Sequence, residues 1–176
     1  MEHKHTNSSN LAARKRMVDA LMDLLKEKPL SSITVTDITK RSGVSRMTYY
    51  RNYETMDDIF ISYLHDIILD YHKDFEKFPE KGNYYDYRNI LHCLNYFDEY
   101  ADFVNSLFVS GLGYVLLNRM SQYLVDYWYN GNDLDEYYRL NAFAGSAYNM
   151  LIVWMMRGKK EPAEQIACAL HEIYMR

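Results

Sequence analysis

The chain has no apolar run that approaches the ~18 residues needed to span a membrane. Its N-terminus also lacks a stretch of signal-peptide type, so we expect a cytoplasmic protein with no membrane partner. Cysteine is scarce: Cys93 and Cys168 lie far apart in the sequence, which excludes a disulfide framework and a CxxC metal site. Both thiols are predicted to be core residues.

Motifs that carry catalysis are also missing. The sequence has no glycine-rich phosphate loop, no nucleophile elbow and no HExxH motif. His3 and His5 are too few ligands for a metal ion, and His65 and His72 are separated by ~10 Å of helical rise. We therefore predict no catalytic residue, no metal site and no cofactor. An all-helical enzyme is a remote alternative, supported only by the helix that carries His65 and His72.

Charge is distributed unevenly along the chain. The net charge of −4 would by itself argue against a nucleic-acid partner. Residues 1–53, however, hold ten lysines and arginines against five acids, a net charge of +5, whereas residues 54–176 hold ten against nineteen, a net charge of −9. A basic segment attached to an acidic one is the asymmetry expected when one end of a protein meets phosphates.

Residues 34–53 have the pattern of two short helices joined by a tight turn. Thr34 is a suitable N-cap for the first helix, and Asp37, three residues later, can complete a capping box. Gly43 is predicted to end that helix, because glycine adopts the left-handed backbone without steric cost. Ser45 can then cap the second helix. This order predicts a helix-turn-helix, whose second helix enters the DNA major groove.

The second of these helices has two different sides. Tyr49 and Tyr53 lie four residues apart, on one face of the helix, and are predicted to point inward. The other side carries the side chains available to a partner: Arg46, Met47, Thr48, Arg51 and Asn52.

The same stretch resembles the DNA-binding domain of the TetR family of bacterial transcription regulators. The resemblance covers roughly residues 10–65 and rests on the run from Ile33 to Ile38, on Gly43-Val44-Ser45, and on Thr48, Tyr50 and Tyr53. One position departs from the pattern: the family usually has a phosphate-binding lysine where this chain has Met56.

The resemblance implies an all-α fold with two domains. A three-helix helix-turn-helix head would occupy residues 1–54, with a disordered arm over residues 1–9. A divergent helical body of about six helices, residues 55–176, would bind an effector and form the dimer. The implied function is a DNA-binding regulator, most simply a repressor released from a palindromic operator by a small-molecule effector.

We assign the predicted DNA contacts by chemistry. Arg46, Met47 and Thr48 are expected at base edges, since arginine suits guanine O6 and N7 and the two apolar groups suit thymine methyls. The phosphate contacts are expected to come from polar side chains that position without specifying: Thr34, Thr36, Tyr50, Arg51 and Asn52. Ser45, as the helix cap, completes the predicted DNA-binding set.

The remaining pattern predicts a first helix from about Asn10 to Lys28 and a long one from Thr55 to about Lys77. Body helices are expected over about 86–100, 102–109, up to 129, 134–156 and from Pro162 to 174. Residues 142–156 are nearly apolar all round, which predicts burial on several sides. In so small a chain this indicates a homodimer through the last two helices, in agreement with the resemblance.

Tyrosine is abundant: the chain has eighteen. Aromatic rings with hydroxyl tips suit the lining of a ligand cavity, although most could simply lie half-buried on helix surfaces. The predicted lining is Tyr63, His92, Tyr96, Arg119, Tyr123, Tyr127 and Tyr148. A buried Arg119 would need an anion, either an acidic effector or a partner such as Asp66 or Asp102. The alternative is a DNA-binding co-regulator whose tyrosine-rich, acidic body docks a protein partner instead of a small ligand.

Overall fold

A computed structural model describes residues 2–175, with side chains from Ser9 onward. This part of the chain is all-α, as predicted, and holds nine α-helices, one 3₁₀ turn at Leu30–Ser32 and no strand. None of its helices combines the length and apolarity required to cross a membrane. The helices are α1 Glu2–Leu25, α2 Val35–Ser42, α3 Arg46–Asn52, α4 Asp57–Phe75, α5 Tyr87–Asp98, α6 Ala101–Val109, α7 Gly113–Trp128, α8 Leu134–Met156 and α9 Ala163–Tyr174.

Two helix boundaries differ from the sequence prediction. Helix α1 begins at Glu2 instead of near Asn10, because no glycine or proline interrupts residues 2–25. Of the arm expected over residues 1–9, the structure describes the backbone of residues 2–9, which belongs to α1, and no side chain before Ser9. Pro162 is the N-cap of α9 and not its first helical residue, since its backbone is extended, with a φ of −66° and a ψ of 149°.

The first compact unit, Met1–Leu69, contains α1 to α3 and most of α4. Its core consists of side chains that are no more than 1% exposed: Met17, Leu21, Ile38, Tyr49, Ile59, Phe60 and Leu64. Full burial of one such side chain contributes about 1.5–3 kcal/mol. Helices α1 and α2 pack directly on each other, so α2 and the turn after it have a fixed support.

The second compact unit, Asp70–Arg176, contains the end of α4 and helices α5 to α9. Helix α7 packs on α8, and α5 packs on α9. Helix α8 buries one side completely, through Leu140, Ala144 and Leu151. Its opposite side is not covered within this unit, which leaves apolar side chains of the last two helices at the surface.

Candidate nucleic-acid interface and aromatic cluster

The helix-turn-helix is built by the local rules that the sequence indicated. Thr34 caps α2: its Oγ1 accepts from the Asp37 backbone N–H at 3.2 Å, while the Asp37 carboxylate accepts from the Thr34 N–H at 2.9 Å. Gly43 has a φ of 67°, the left-handed conformation that ends α2. Ser45 caps α3 by accepting from the Thr48 N–H at 3.1 Å. The predicted capping box, glycine turn and second cap are all confirmed.

Helix α3 is anchored on one side by two tyrosines. Tyr49 and Tyr53 are buried, with ring centroids 5.8 Å apart. Their inward orientation, predicted from the spacing of four, is confirmed. Because these two rings fix the rotation of the helix, Met47 and Tyr50 are left 83% and 62% exposed. An exposed apolar side chain beside exposed arginines is a surface suited to a partner.

The polar side chains of this surface are hydrogen-bonded to one another. Arg46 Nη2 donates to Thr36 Oγ1 at 2.6 Å, and the Ser45 and Thr48 hydroxyls lie 3.0 Å apart. Asn52 Nδ2 donates to the Thr48 carbonyl at 2.7 Å. The remaining predicted DNA contacts, Thr34 and Arg51, are both exposed at the surface. The structure therefore brings all nine predicted DNA-binding residues onto α2, α3 and the residues that cap them.

Two ion pairs fasten α2 to the turn that follows α1. Lys28 Nζ lies 2.8 Å from Asp37 Oδ2, and Arg41 Nη2 lies 2.8 Å from Glu27 Oε1. The hydrogen bonds from Lys28 and then Thr34 hold the pKa of the Asp37 carboxyl well below its usual range. Sequence reasoning missed both pairs, because partners nine and fourteen residues apart meet only once α1 and α2 have packed.

The second unit contains a group of packed rings, which we call the aromatic cluster: Tyr71, Phe75, His92, Tyr96, Tyr123 and Tyr127. Tyr71 is its centre, with ring centroids 5.1 Å from His92, 5.2 Å from Tyr96 and 5.5 Å from Tyr123. Tyr127 stacks on Tyr123 at 6.1 Å. Four of the seven predicted lining residues thus meet, around a tyrosine that is not part of the predicted lining.

Carboxylates hold the rim of the aromatic cluster. His92 Nε2 lies 2.9 Å from Asp74 Oδ2, and the Tyr127 hydroxyl donates to Glu76 Oε1 at 2.8 Å. Burial, followed by the bond to Glu76, raises the pKa of Tyr127 to about 12. The bond from Tyr127 lowers the pKa of Glu76, so this carboxylate is ionised at neutral pH. The Tyr127 hydroxyl is therefore a neutral donor facing a fixed negative charge.

An apolar stripe runs along the uncovered side of α8. One polar residue, Asn149, interrupts it, and its members are small or exposed: Tyr138, Ala142, Gly145, Val153 and Met156. A Cβ built at Gly145 meets nothing within 4 Å, so another backbone could approach there. Beside this stripe an open groove of about 310 Å³ lies between α8 and α9, lined in part by Val153, Trp154 and Ile166.

Two solved structures share this arrangement of helices. A TetR transcriptional regulator from Streptococcus agalactiae 2603V has a TM-score of 0.64 and 18% identity, over 97% of this chain and 98% of that one. The dihydroxyacetone kinase operon activator DhaS has a TM-score of 0.56 and 20% identity, over 92% and 93% of the two chains. No protein-family model and no curated protein matches the sequence.

The chain has a TetR-like fold. The fold implied by the resemblance in residues 33–53, a three-helix head followed by a body of about six helices, is confirmed by helices α1 to α9.

Three residues of the predicted lining do not belong to the aromatic cluster: Tyr63, Arg119 and Tyr148. Tyr63 belongs to the part of α4 assigned to the first unit. The Tyr148 hydroxyl lies by Gly113, where an added Cβ would approach it to 2.7 Å. Gly113 is the first residue of α7 and lies about 15 Å of helical rise before Tyr123. The Tyr148 hydroxyl is therefore at the opposite end of α7 from the aromatic cluster.

The structure gives Arg119 neither of the two carboxylate partners suggested for it. The side chain is half-buried on α7, between the two ends of that helix, and forms no ion pair with any residue whose side chain is described. Asp66, one of its two suggested partners, is paired with Arg14 at 2.8 Å. The other, Asp102, is exposed in the first turn of α6, where a carboxylate favours the helix dipole.

Proposed function

We propose that this protein is a homodimeric transcription regulator that binds a palindromic operator through α2 and α3. The observation that carries the proposal is the sorting of side chains around α3. Tyr49 and Tyr53 are buried, whereas Arg46, Met47 and Tyr50 are presented together on the outer side. A helix held in this way can insert its outer side into a major groove.

The proposed DNA contacts are those that the sequence predicted. Met47 and Thr48 would read base edges, with Arg46 assigned there from its chemistry alone. Thr34, Thr36, Tyr50, Arg51 and Asn52 would hold phosphates, with Ser45 fixing the start of α3. At the position of the usual lysine, Met56 is half-buried and offers no charge, so one phosphate contact of the TetR pattern is absent.

The homodimer is proposed to form through α8 and α9. The apolar stripe on α8, the open space at Gly145 and the exposed Ile173 on α9 support it, since each would be covered by a second copy. Two copies related by a two-fold axis would present two α3 helices ~34–36 Å apart, one turn of the duplex.

We further propose that the regulator is a repressor released by a small-molecule effector bound at the aromatic cluster. An effector can release DNA only if it binds the released state more tightly. The chain has two tryptophans, and Trp128 contacts the cluster through Tyr127 at 4.4 Å whereas Trp154 lies in the α8–α9 groove. The Trp154→Phe variant keeps only Trp128, and the Trp128→Phe variant keeps only Trp154. A ligand that changes the fluorescence of the first variant but not of the second binds at the cluster. The opposite pattern would place the ligand at the α8–α9 groove and contradict the assignment.

A second candidate function is a co-regulator whose body docks a protein. It is favoured by three exposed apolar side chains at the corner between α6 and α7: Phe108, Val109 and Tyr114. One structural neighbour is also described as an operon activator, so a protein of this fold need not be a repressor. Loss of activity in cells on Val109→Glu, with DNA binding and dimerisation intact, would favour this candidate.

The proposed function is tested by selection from a pool of randomised DNA duplexes. We expect the wild-type protein to enrich one palindromic sequence, with binding that weakens steeply as salt rises. Met47→Glu should abolish the enrichment, because it replaces a base-contacting apolar side chain with a carboxylate that the polyanionic DNA repels. The matched control is Val109→Glu, which introduces the same charge at a similarly exposed apolar residue of the second unit. This variant should enrich the same sequence as the wild-type protein. Enrichment of no sequence by the wild-type protein would contradict the proposal.

A further inference from the structure

Arg46 does not extend freely from the recognition helix. It is the first residue of α3, and its side chain turns back toward the first turn of α2, where Nη2 donates to Thr36 Oγ1 at 2.6 Å. This is a short, charge-assisted hydrogen bond across ten residues of sequence. Both residues are exposed, so the bond is not needed to satisfy a buried group. Its effect is to fix where the guanidinium lies.

The pair formed by Arg46 and Thr36 has mainly donors left to offer. Thr36 Oγ1 accepts from Arg46 and forms no other hydrogen bond among the described side chains, so its hydroxyl proton is available. The guanidinium keeps its other N–H groups, and no carboxylate in the described part of the chain pairs with it. A positive pair that offers mainly donors matches a phosphate, whose oxygens only accept.

Reading a guanine requires something different. Arginine must send two parallel N–H groups to O6 and N7, which needs a guanidinium extended into the groove. Arg46 is instead held over α2, beside the threonines expected to contact the backbone. Met47, the next residue, is 83% exposed, and its side chain forms no hydrogen bond with any described residue. It is therefore free to extend into the groove.

We propose that Thr36 positions Arg46 as a phosphate contact and that Met47, not Arg46, determines which bases are preferred. The inference rests on the proposed DNA-binding function and revises the role that chemistry alone gave to Arg46. Thr36 is then a positioning residue: it sets the place of a charge that it does not itself carry.

The proposal separates affinity from specificity. Arg46→Ala should weaken binding to the selected duplex and to random duplex by the same factor, about tenfold, and lower the slope of log K against log salt by about one. Met47→Ala should leave binding to random duplex unchanged and reduce the preference for the selected sequence about tenfold, the low end of one lost base contact.

Thr36 is tested by two variants and a double-mutant cycle. Thr36→Val removes the hydroxyl at nearly constant volume. It should weaken binding to the selected duplex and to random duplex about threefold. Thr36→Ser keeps the hydroxyl and should bind like the wild type, which a merely steric role would not predict. In Arg46→Ala the further change Thr36→Val should then have a smaller effect than it has alone, because the positioned charge is already gone.

The experiment is selection from the randomised duplex pool with wild type, Arg46→Ala and Met47→Ala, followed by salt titrations on the enriched and random duplexes. We expect Arg46→Ala to enrich the wild-type sequence and Met47→Ala to enrich a degenerate one. Loss of a defined base pair with Arg46→Ala, or full additivity of Thr36→Val and Arg46→Ala, would overturn the inference while leaving the DNA-binding function standing. Failure of the wild type to enrich any sequence would overturn both.

Discussion

The helix-turn-helix and the aromatic cluster are stabilised over different distances in the sequence. In the first, the contacts that define α2 and α3 join residues three or four apart, as in the Thr34–Asp37 capping box. In the second, Tyr71 packs against rings that are 21 to 52 positions away, on α5 and α7. The surface proposed to contact DNA is therefore specified almost locally, whereas the cluster exists only once several helices have packed.

The largest effect is expected at the aromatic cluster. Phe75 is fully buried and contacts Phe78, Tyr127 and Trp128 with centroids 5.4 to 5.7 Å away. Phe75→Ala should lower the free energy of unfolding by about 3–5 kcal/mol through lost burial and the cavity left behind. Urea titration followed by tryptophan fluorescence measures this, since both tryptophans lie in the second unit. The control, Phe108→Ala, removes an exposed ring and should lower the free energy of unfolding far less. Equal losses of stability in the two variants would show that the cluster is not a packed core.

The next effect concerns the uncovered side of α8. Val153→Asp should raise the dimer dissociation constant at least about tenfold, because it desolvates a charge in each copy at the proposed interface. Sedimentation velocity over a dilution series measures the change. Val109→Asp places the same charge at an exposed valine outside α8 and α9 and should leave the dimer intact. A monomeric wild type, or equal weakening by both variants, would contradict dimerisation through these helices.

A smaller effect is expected in the capping box. Thr34→Ala removes the acceptor for the Asp37 N–H and should destabilise the first unit by about 1 kcal/mol. Far-UV circular dichroism during urea unfolding measures this change, because the tryptophans do not report on the first unit. Thr39→Ala, in the middle of α2, is the comparison and should change stability by a few tenths of a kcal/mol. If the two variants behave alike, the cap contributes nothing measurable.

The smallest effect depends on pH. The lowered pKa of Asp37 means that its contribution to stability is fully present above its ordinary value of 3.8 and is lost as pH falls through the lowered folded-state value. Asp37→Asn should therefore unfold at a lower temperature than wild type at pH 6. The difference should shrink steadily below about pH 3.8, which thermal melts from pH 7 to pH 2 would show. A difference that is constant over this range would rule out the ionised carboxylate as its source.

The sequence was sufficient where structure is set by near neighbours. The two helix caps, the left-handed Gly43 and the inward Tyr49 and Tyr53 each follow from spacings of three or four residues. The all-α fold followed from the same kind of pattern together with the resemblance. These features also place the predicted DNA-binding residues, although their contacts with DNA stay predictions.

The sequence was insufficient where packing brings distant side chains together. Nothing in the pattern around Lys28 indicated Asp37, and nothing around Asp66 indicated Arg14 in preference to Arg119. Tyr148 was grouped with Tyr123 from composition, yet it lies at the far end of α7 from the aromatic cluster. Helical periodicity predicts which side of a helix is buried but not which ring on another helix it meets.

The central claim is that two copies of α3 meet one duplex at successive major grooves. The most direct measurement is a hydroxyl-radical footprint of the wild-type protein on the sequence enriched from the random pool. The account predicts two symmetric protected half-sites whose centres lie about 10–10.5 base pairs apart, or a multiple of that turn, with two protomers bound per duplex. Protection of a single half-site by one protomer, or uniform protection that ignores the sequence, would contradict it.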